Sequence, residues 1–400
     1  MSRKFLLILL LIYIVSSVSS FAVFSFTGGG VDVTKLGSSP KVEEGDDETA
    51  LGLLLEIDPS EPADQVCPLN GVMYTSTEQT AWAKRRPLAV MIENTVDARP
   101  QSGLSKADVV FEAIAEGGVT RFMPIYLCAV QKQDTILAPI RSARTYFVDW
   151  ASGFNEPMYV HVGGANLSGP ADALGQISKY GWSLENDLNQ FSIGYPTFVR
   201  NYNRLGEDRD LATEHTMETS TERLWEVSAD RDWTNMSAER KYGRKVYEPM
   251  DWYEGYTGWS FQDEKPESGD VGNIAYDFWE GYSQYSVSWK YEATTNSYAR
   301  TQGDEAHLDL NNNKPVLASN VVVLLTKEKG PIDELKHMLY TTIGRGNALV
   351  FKNGGVEKVT WSKKTRESEL VFNDAKGKPV EFARGMIWIS VLDTTTDVEY

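Results

Sequence analysis

Cysteine and histidine are both scarce in this 400-residue chain, which has two cysteines and four histidines. No cluster of these residues has the ligand spacing of a zinc site, so we predict no metal and no cofactor. Two cysteines that reach an oxidising compartment can form one disulfide, but the sequence does not give their separation. Whether Cys67 and Cys128 pair or stay apart as buried thiols is therefore left open.

Common catalytic signatures are also lacking. The sequence has no phosphate-binding P-loop, no HExxH metalloprotease motif, no nucleophile elbow and no dinucleotide fingerprint. Basic residues are outnumbered, because 39 lysines and arginines stand against 56 acidic residues and the net charge is −17. A surface this acidic repels phosphate backbones, so we expect no nucleic-acid partner, and an anion site would be a local exception to the overall field.

An uncharged apolar run follows Arg3 and Lys4 near the N-terminus and extends from Phe5 to Phe26. A run of about 20 apolar residues is long enough to cross a bilayer, and the preceding basic pair favours a cytoplasmic N-terminus. The alternative is a signal peptide that is cleaved near Ser20. We predict a single-pass protein of the cell membrane with an extracytoplasmic body, or a secreted protein if cleavage occurs.

The length exceeds that of one hydrophobic core and predicts two domains with connecting segments. The fold class that we expect is an α/β N-terminal domain with a βαβ unit and a mixed sheet, followed by a smaller, mostly β C-terminal domain. The predicted boundaries are a signal anchor or signal peptide at 1–26, an acidic flexible linker at 27–65, the α/β domain at 66–240, a connector at 241–270 and the β domain at 271–400.

Several local patterns predict individual strands and turns. Apolar runs at Leu88 to Ile92 and Phe122 to Val130 are typical of buried strands, and the pair Gly117 and Gly118 predicts a reversal of the chain before the second of them. The stretch from Val109 to Ala115 is apolar without a clear period, so helix and strand both stay open. Asn353 and the glycines after it predict a β-hairpin.

The βαβ unit is predicted between residues 136 and 162. Ile136 to Ile140 reads as a strand, Ser142 as the N-cap of a helix from Ala143 to Phe154, and Met158 to Val162 as the next strand. Such a unit implies two parallel strands with a right-handed crossover. Further along, Thr219 and Glu222 have the spacing of a capping box at the start of a helix.

Ligands of open α/β sheets gather beyond the carboxyl ends of parallel strands, which here are the turn "IRSAR" and the loop "HVGGANLSG". Arginine side chains offer forked donors for phosphate or carboxylate, and a glycine pair lets the backbone approach a ligand. We predict an anion site at this edge, formed by Arg121, Arg141, Ser142, Arg144, His161, Gly163 and Gly164.

Structural interpretations of the same residues stay open. The arginines can pair with carboxylates of the fold, for which Glu93, Asp108, Glu112 and Glu116 are available. His161, on a predicted strand, can be a packed core histidine. A loop residue, His215, is a candidate general acid or base because its ordinary pKa lies near neutral pH, and Glu112 or Glu116 are the candidate carboxylates beside it.

The strings "RPLAVMIENTVDARPQSGLSKADVVFEAIAEGGVTRFMPIY", "APIRSARTYFVDWA" and "MYVHVGGA" resemble the N-terminal part of the YerB-like lipoproteins, a bacterial envelope family of unknown function. The resemblance is specific from Pro68 to Leu174. It continues more weakly through "EHTMETSTERLW", where His215 stands at a position at which the family tends to carry histidine, and the C-terminal region is similar only in pattern. The resemblance implies a membrane-attached, extracytoplasmic bacterial protein and no established activity. Family members commonly carry a lipid-modified cysteine after the signal, whereas this chain has an apolar run and no cysteine before Cys67.

These observations lead to one expected function and two alternatives. We expect an envelope protein that binds an anionic cell-wall glycan or a lipid-linked glycan, such as a polyprenyl phosphate, at the arginine-rich edge. The first alternative is a non-catalytic scaffold or partner-binding module of a cell-envelope complex. The second is a glycan transferase or hydrolase that uses His215 and a carboxylate, so whether the protein is an enzyme is left open.

Overall fold

One mixed sheet of eleven strands organises this fold, in a computed structural model that describes residues 51–242, 244–263 and 269–400. The predicted signal anchor at 1–26 and the first part of the predicted linker lie outside the described residues. No helix within the described ranges is both long and apolar enough to cross a membrane.

The described α-helices are short and all lie before residue 240. The α-helices are α1 (Ser76–Trp82), α2 (Thr145–Ala151), α3 (Ala173–Lys179), α4 (Gln190–Ile193) and α5 (Thr221–Asp230). The 3-10 helices are Val96–Ala98, Leu104–Lys106, Ser152–Phe154, Thr213–His215 and Ser283–Tyr285.

The strands extend over the whole described chain. Those before residue 240 are β1 (Leu51–Leu53), β2 (Ala63–Val66), β3 (Met73–Thr75), β4 (Leu88–Val90), β5 (Ile92–Glu93), β6 (Val109–Glu116), β7 (Val119–Tyr126), β8 (Gln133–Asp134), β9 (Ile136–Leu137), β10 (Met158–His161), β11 (Asp187–Asn189), β12 (Val199–Arg200) and β13 (Met217–Ser220). Those after it are β14 (Arg240–Tyr242), β15 (Lys245–Tyr247), β16 (Ser260–Phe261), β17 (Asn273–Tyr276), β18 (Val287–Glu292), β19 (Ser297–Gln302), β20 (Glu305–Ala306), β21 (Leu308–Asp309), β22 (Lys314–Pro315), β23 (Leu317–Ala318), β24 (Asn320–Thr326), β25 (Glu328–Lys329), β26 (Leu339–Tyr340), β27 (Gly344–Lys352), β28 (Gly355–Lys363), β29 (Val371–Asn373), β30 (Glu381–Phe382), β31 (Ile387–Asp393) and β32 (Val398–Glu399). The architecture is mixed α/β before residue 240 and mostly β after it, as predicted.

The large sheet contains strands from both predicted domains. Its order is β11-β10-β4-β7-β6-β31-β24-β27-β28-β29, with β5 paired to β7. The late strand β31 lies between β6 and β24 and is parallel to both, with Ile387 opposite Val109 on one side and Asn320 on the other. The two predicted domains therefore share one continuous sheet, and Glu48–Tyr400 forms one compact unit.

The predicted βαβ unit from 136 to 162 is wrong in its first strand. That strand, β9, pairs with β13 in a separate small sheet, whereas β10 pairs in parallel with β4 and β11. Pro139 has no N–H to donate to a ladder, and the next two N–H groups, of Ile140 and Arg141, donate to Met217 and Met91. The parallel unit of this region is therefore β10, α3 and β11, one element further along the chain.

Two segments that were predicted as connections contribute secondary structure instead. Within the predicted flexible linker, β1 pairs with β8, and β2 pairs with β3. Within the predicted connector, β14 and β15 form a hairpin, and the side chains of Trp252 and Tyr256 are buried in the core. Acidic and glycine-rich composition hid these short elements, of which only β1 pairs with a distant strand.

The reversal at Gly117 and Gly118 is confirmed. Both glycines have positive φ values, 45° and 93°, and they join β6 to β7 in an antiparallel hairpin. The undecided stretch after Val109 is strand β6, which is buried along almost its entire length. The hairpin places Glu116 at the exposed end of β6, next to Arg121 on β7.

A closed ring of polar side chains is buried between the two predicted domains. Arg300 on β19 donates to both carboxylate oxygens of Glu112 at 2.9 and 2.8 Å, and both side chains are fully buried. Arg300 also contacts Nδ1 of His307 at 2.8 Å. Gln101, Asn94 and Thr120 continue the ring from His307 back to Glu112. These hydrogen bonds partly offset the cost of removing the two charges from water.

The two cysteines form a disulfide, which resolves the open question. Cys67 and Cys128 are 61 residues apart, their Cα atoms are 6.0 Å apart, and both are buried. The bond ties the segment before β3 to the end of β7. Beside it, burial raises the pKa of Asp108 to about 7, although the backbone N–H groups of Leu127 and Cys128 donate to its carboxylate and oppose that rise.

Candidate functional site

The turn "IRSAR", which we call the arginine turn, and the loop "HVGGANLSG", which we call the glycine loop, meet at one edge of the large sheet. The N–H of Val162 donates to the carbonyl of Arg141 at 3.0 Å, and the N–H of Ala143 donates to the carbonyl of Gly163 at 2.9 Å. Ala143 and Gly164 form an isolated parallel bridge. The convergence of these two segments was expected from the predicted topology and occurs here although β9 is not a neighbour of β10.

A cavity of about 490 Å³ opens at this edge, and we call it the edge cavity. It is lined by Ile140, Arg141, Ser142, Val162, Gly163, Gly164, Asn166, Leu174, Phe191, Arg200, Thr213, Glu214 and Met217. The charged side chains among these residues are two arginines and one glutamate, so the lining is positive in a chain of net charge −17.

A buried carboxylate, Glu93, holds the arginine of the cavity from behind. Its Oε1 lies 3.1 Å from Nε of Arg141, and its Oε2 lies 2.8 Å from Nδ1 of His215. Burial pushes the pKa of Glu93 upward, but the hydrogen bond from His215 and the charge of Arg141 outweigh burial, so the pKa lies below its ordinary value. The same hydrogen bond raises the pKa of His215.

A second carboxylate, Glu116, is shared by the other two arginines. Arg121 donates to it at 3.0 Å, and Arg144 also contacts it. Both guanidinium groups are almost fully buried, and burial lowers their pKa. The geometry agrees with the interpretation that the arginines pair with carboxylates of the fold. Glu116 pairs with Arg121 and Arg144, and Glu93 pairs with Arg141.

Arg141 differs from these two arginines because part of it remains available. Its side chain is 27% exposed, and its Nη1 and Nη2 atoms make no hydrogen bond to any residue that the structure describes. Burial, the first cause, lowers its pKa, whereas the charge of Glu93 opposes this. The guanidinium thus forms an ion pair with Glu93 through Nε, and Arg141 also lines the cavity.

Backbone donors lie next to this guanidinium. Ser142 and Gly164 line the cavity, and neither of their N–H groups has a hydrogen-bond partner within the described residues. The prediction that Ser142 is the N-cap of this helix is wrong, because α2 begins at Thr145 and Arg144 occupies the cap position. The N–H of Gly163 is not free, because it donates to Oδ1 of Asn189 at 3.1 Å.

The glycine pair is required by close packing. Gly163 has φ +57°, and a side chain there would meet the ring of Phe191 at 2.9 Å. A side chain at Gly164 would come within about 3 Å of Leu174 and Ala143. Glycine at both positions therefore lets the loop lie against the arginine turn.

His161 supports this loop from inside the protein and does not reach the cavity. It is fully buried, with Nδ1 2.6 Å from the carbonyl of Gly163 and Nε2 2.5 Å from Asp187. Both partners are acceptors, so the ring is held firmly in place. The interpretation of His161 as a satisfied core histidine agrees with these contacts.

The structure does not bring all candidate carboxylates to the edge. Glu112 belongs to the buried ring with Arg300, and Asp108 lies beside the disulfide. Glu93 is the carboxylate that contacts His215, and sequence reasoning gave it only a pairing role. The sequence did contain a signal for Glu93, because it directly follows the apolar run that begins at Leu88. Polar side chains at the end of a strand often belong to a binding site.

The described residues contain one group with atoms close enough to hold a metal ion. Cys67, Cys128 and Asp108 offer ligand atoms within 4.8 Å of one another. The two sulfur atoms are bonded to each other, however, and a metal requires thiolates. This group therefore does not fit a metal site in the disulfide form.

Comparison with known proteins assigns the chain to a family. Residues 74–234 match the domain described as "Protein of unknown function (DUF3048) N-terminal domain", and residues 275–389 match the corresponding C-terminal domain. The chain carries both domains and belongs to this family. The resemblance stated from the sequence is confirmed, and it includes the C-terminal region.

The YerB protein of Bacillus subtilis is similar to this chain in both sequence and structure. The Bacillus subtilis (strain 168) protein named "Putative lipoprotein YerB" is 28% identical over 333 residues, which are 81% of this chain and 85% of that protein. The crystal structure of YerB protein from Bacillus subtilis has a TM-score of 0.64 and 26% identity, and the similarity covers 84% of this chain and 100% of that chain. The fold described above is therefore the fold of an experimentally known relative.

Proposed function

We propose that this protein is a membrane-associated envelope protein whose edge cavity binds the anionic group of a cell-wall or lipid-linked glycan. The observation that carries the proposal is the donor set at the cavity. It comprises the outer edge of Arg141 and the unpaired N–H groups of Ser142 and Gly164. Backbone and guanidinium donors that are fixed before binding are the usual means of recognising phosphate or carboxylate.

Membrane attachment is part of this proposal. The apolar run from Phe5 to Phe26 would tether the body outside the cytoplasm, and the relative named above as a lipoprotein supports a membrane location. The partners that we propose are the membrane, through this run, and a wall glycan or polyprenyl phosphate, through the edge cavity.

The charges around the cavity favour an anion despite the acidic chain. Arg141 and Arg200 stand against Glu214 in the lining. Glu93, behind Arg141, is already compensated by its contacts with Arg141 and His215. When His215 is protonated, Arg141, Arg200 and His215 outnumber Glu93 and Glu214 by one charge, so an entering anion meets a small excess of positive charge.

We expect Arg141→Ala to weaken binding of a soluble sugar phosphate by about 10- to 100-fold, because a hydrogen bond to a charged group contributes about 1.5–3 kcal/mol. The measurement is isothermal titration with N-acetylglucosamine 1-phosphate, using the full chain in detergent. Arg85→Ala is the matched control, since Arg85 is 23% exposed, pairs with Glu222 and does not line the cavity. Equal affinities for all three proteins would contradict the proposal.

Binding should weaken as the pH rises through the raised pKa of His215. The protonated ring neutralises Glu93, whereas the neutral ring leaves the full charge of Glu93 beside Arg141, where it competes with the ligand. We expect affinity to be highest below the ordinary histidine pKa of 6.5 and to fall above the raised value. Because the phosphate of the probe titrates near pH 6, the comparison is with His215→Gln. In the variant, the fall in affinity that is caused by deprotonation of His215 should be absent. If parent and variant show the same dependence of affinity on pH, His215 does not control binding.

Transfer or hydrolysis remains the second candidate because His215 has a carboxylate partner. The pair is His215 with Glu93, 2.8 Å apart, in place of the predicted Glu112 or Glu116. A histidine oriented by a carboxylate is a common general base. Release of inorganic phosphate from the probe during the same titrations would favour this candidate over simple binding.

A further inference from the structure

The most exposed large hydrophobic side chains of the described residues are Tyr195 and Phe191, of which Phe191 lines the edge cavity and Tyr195 follows it by four residues. Tyr195 is 80% exposed and Phe191 is 74% exposed. Leu167 and Tyr202 are about half exposed. Single exposed apolar residues are normal on a protein surface, but an exposed aromatic ring that lines a cavity with apolar and charged walls indicates a binding surface.

Of these four residues, Phe191 lines the cavity, and the other three are near cavity-lining residues in the sequence. Phe191 is on α4, directly after β11, and its ring packs against Gly163. Tyr195 follows the same short helix. Leu167 comes from the glycine loop, next to the cavity residue Asn166, and Tyr202 follows Arg200 on β12. Three separate segments thus carry exposed apolar side chains at, or within four residues of, a cavity-lining residue.

This juxtaposition constrains the chemistry of the ligand. A soluble wall glycan phosphate needs the donors and leaves the exposed rings in water. An anionic group that is linked to a hydrocarbon chain uses both features, because burying one aromatic side chain tightens binding by about tenfold or more. Tyrosine and other amphipathic rings are also suited to a boundary between apolar and aqueous surroundings.

We propose that the ligand of the edge cavity is a lipid phosphate, with its phosphate at Arg141 and its hydrocarbon chain on the rings of Phe191 and Tyr195. This inference rests on the proposed function and narrows it from anionic glycans in general to those linked to a lipid. Of the two ligand sources proposed above, it selects the polyprenyl phosphate. Leu167 and Tyr202 would extend the apolar surface on either side.

The test compares two probes that share a phosphate and differ in hydrocarbon. Affinities of the full chain in detergent are measured for farnesyl phosphate, kept below its micelle concentration, and for N-acetylglucosamine 1-phosphate. We expect farnesyl phosphate to bind at least about tenfold more tightly. In Phe191→Ala/Tyr195→Ala, we expect the ratio of the two affinities to fall by about tenfold or more, as loss of apolar burial at the rings requires.

Two further variants separate this inference from the proposed function. Leu184→Ala removes an equally exposed apolar side chain, 73% exposed, that lies before β11 and does not line the cavity, so it should leave the ratio unchanged. Arg141→Ala should weaken both probes and preserve the ratio. If neither probe binds, the proposed function is wrong. If both bind equally, or the double variant keeps the parent ratio, only the lipid inference is overturned.

Discussion

Replacing Arg300 with methionine is expected to lower the free energy of unfolding by about 3–5 kcal/mol, the usual cost of removing one partner of a buried ion pair. Arg300 donates to both oxygens of Glu112 in the centre of the protein, and no water reaches either side chain. Without the guanidinium, the carboxylate remains buried with only Thr120 and Trp388 as donors. The loss is measured by urea denaturation of the parent and variant chains.

A double variant distinguishes the charge effect from the loss of packing. Arg300→Met/Glu112→Gln removes both charges, so we expect it to be more stable than Arg300→Met alone, because no uncompensated charge remains buried. The coupling between the two sites is then read from the double-mutant cycle. If the two single losses simply add, the ion pair is not what stabilises this part of the core.

Removing the disulfide is expected to cost a similar amount, about 4 kcal/mol. In the chain-entropy model this is the stabilisation expected for a closed loop of the size set by Cys67 and Cys128, which are 61 residues apart. We expect Cys67→Ala/Cys128→Ala to unfold at correspondingly lower urea concentration, with an unfolding slope that changes because the denatured chain becomes more expanded.

Reduction of the parent chain provides the internal control. Both cysteines are buried, so dithiothreitol should act slowly on the folded protein and rapidly in denaturant. The reduced parent should then match the double variant in stability. A double variant as stable as the oxidised parent would mean that the bond adds nothing beyond the packing around it.

Features that depend on local sequence were predictable. The hairpin at Gly117 is such a feature, because a glycine pair with positive φ permits the turn. The hairpin between β27 and β28 is another, since Asn353 and Gly354 occupy its loop. The meeting of the arginine turn and the glycine loop was also expected. The two hairpins need only a few neighbouring residues to form, whereas the meeting of the two segments was inferred from the order of strands and helices.

Features that depend on distant partners were not predictable. The expected capping box at α5 does not form, because the hydroxyl of Thr219 donates to Thr197 and the carboxylate of Glu222 pairs with Arg85. The candidate site shows the same limit. Its central carboxylate, Glu93, acquires its role only when His215, from a remote loop, packs against it. Tertiary contacts override local preference in both cases.

The position of β31 has a consequence for how this protein is made. The strand fills the gap between β6 and β24, so the first half of the chain has an unpaired sheet edge until residues 387–393 are present. An open strand edge invites pairing with other chains. If the body is exported unfolded, as the predicted N-terminal signal implies, the large sheet can close only after nearly the whole chain has crossed the membrane. Until then, the N-terminal half would depend on chaperones on the extracytoplasmic side of the membrane. Chains truncated before Ile387 should aggregate there and should not fold as an independent domain.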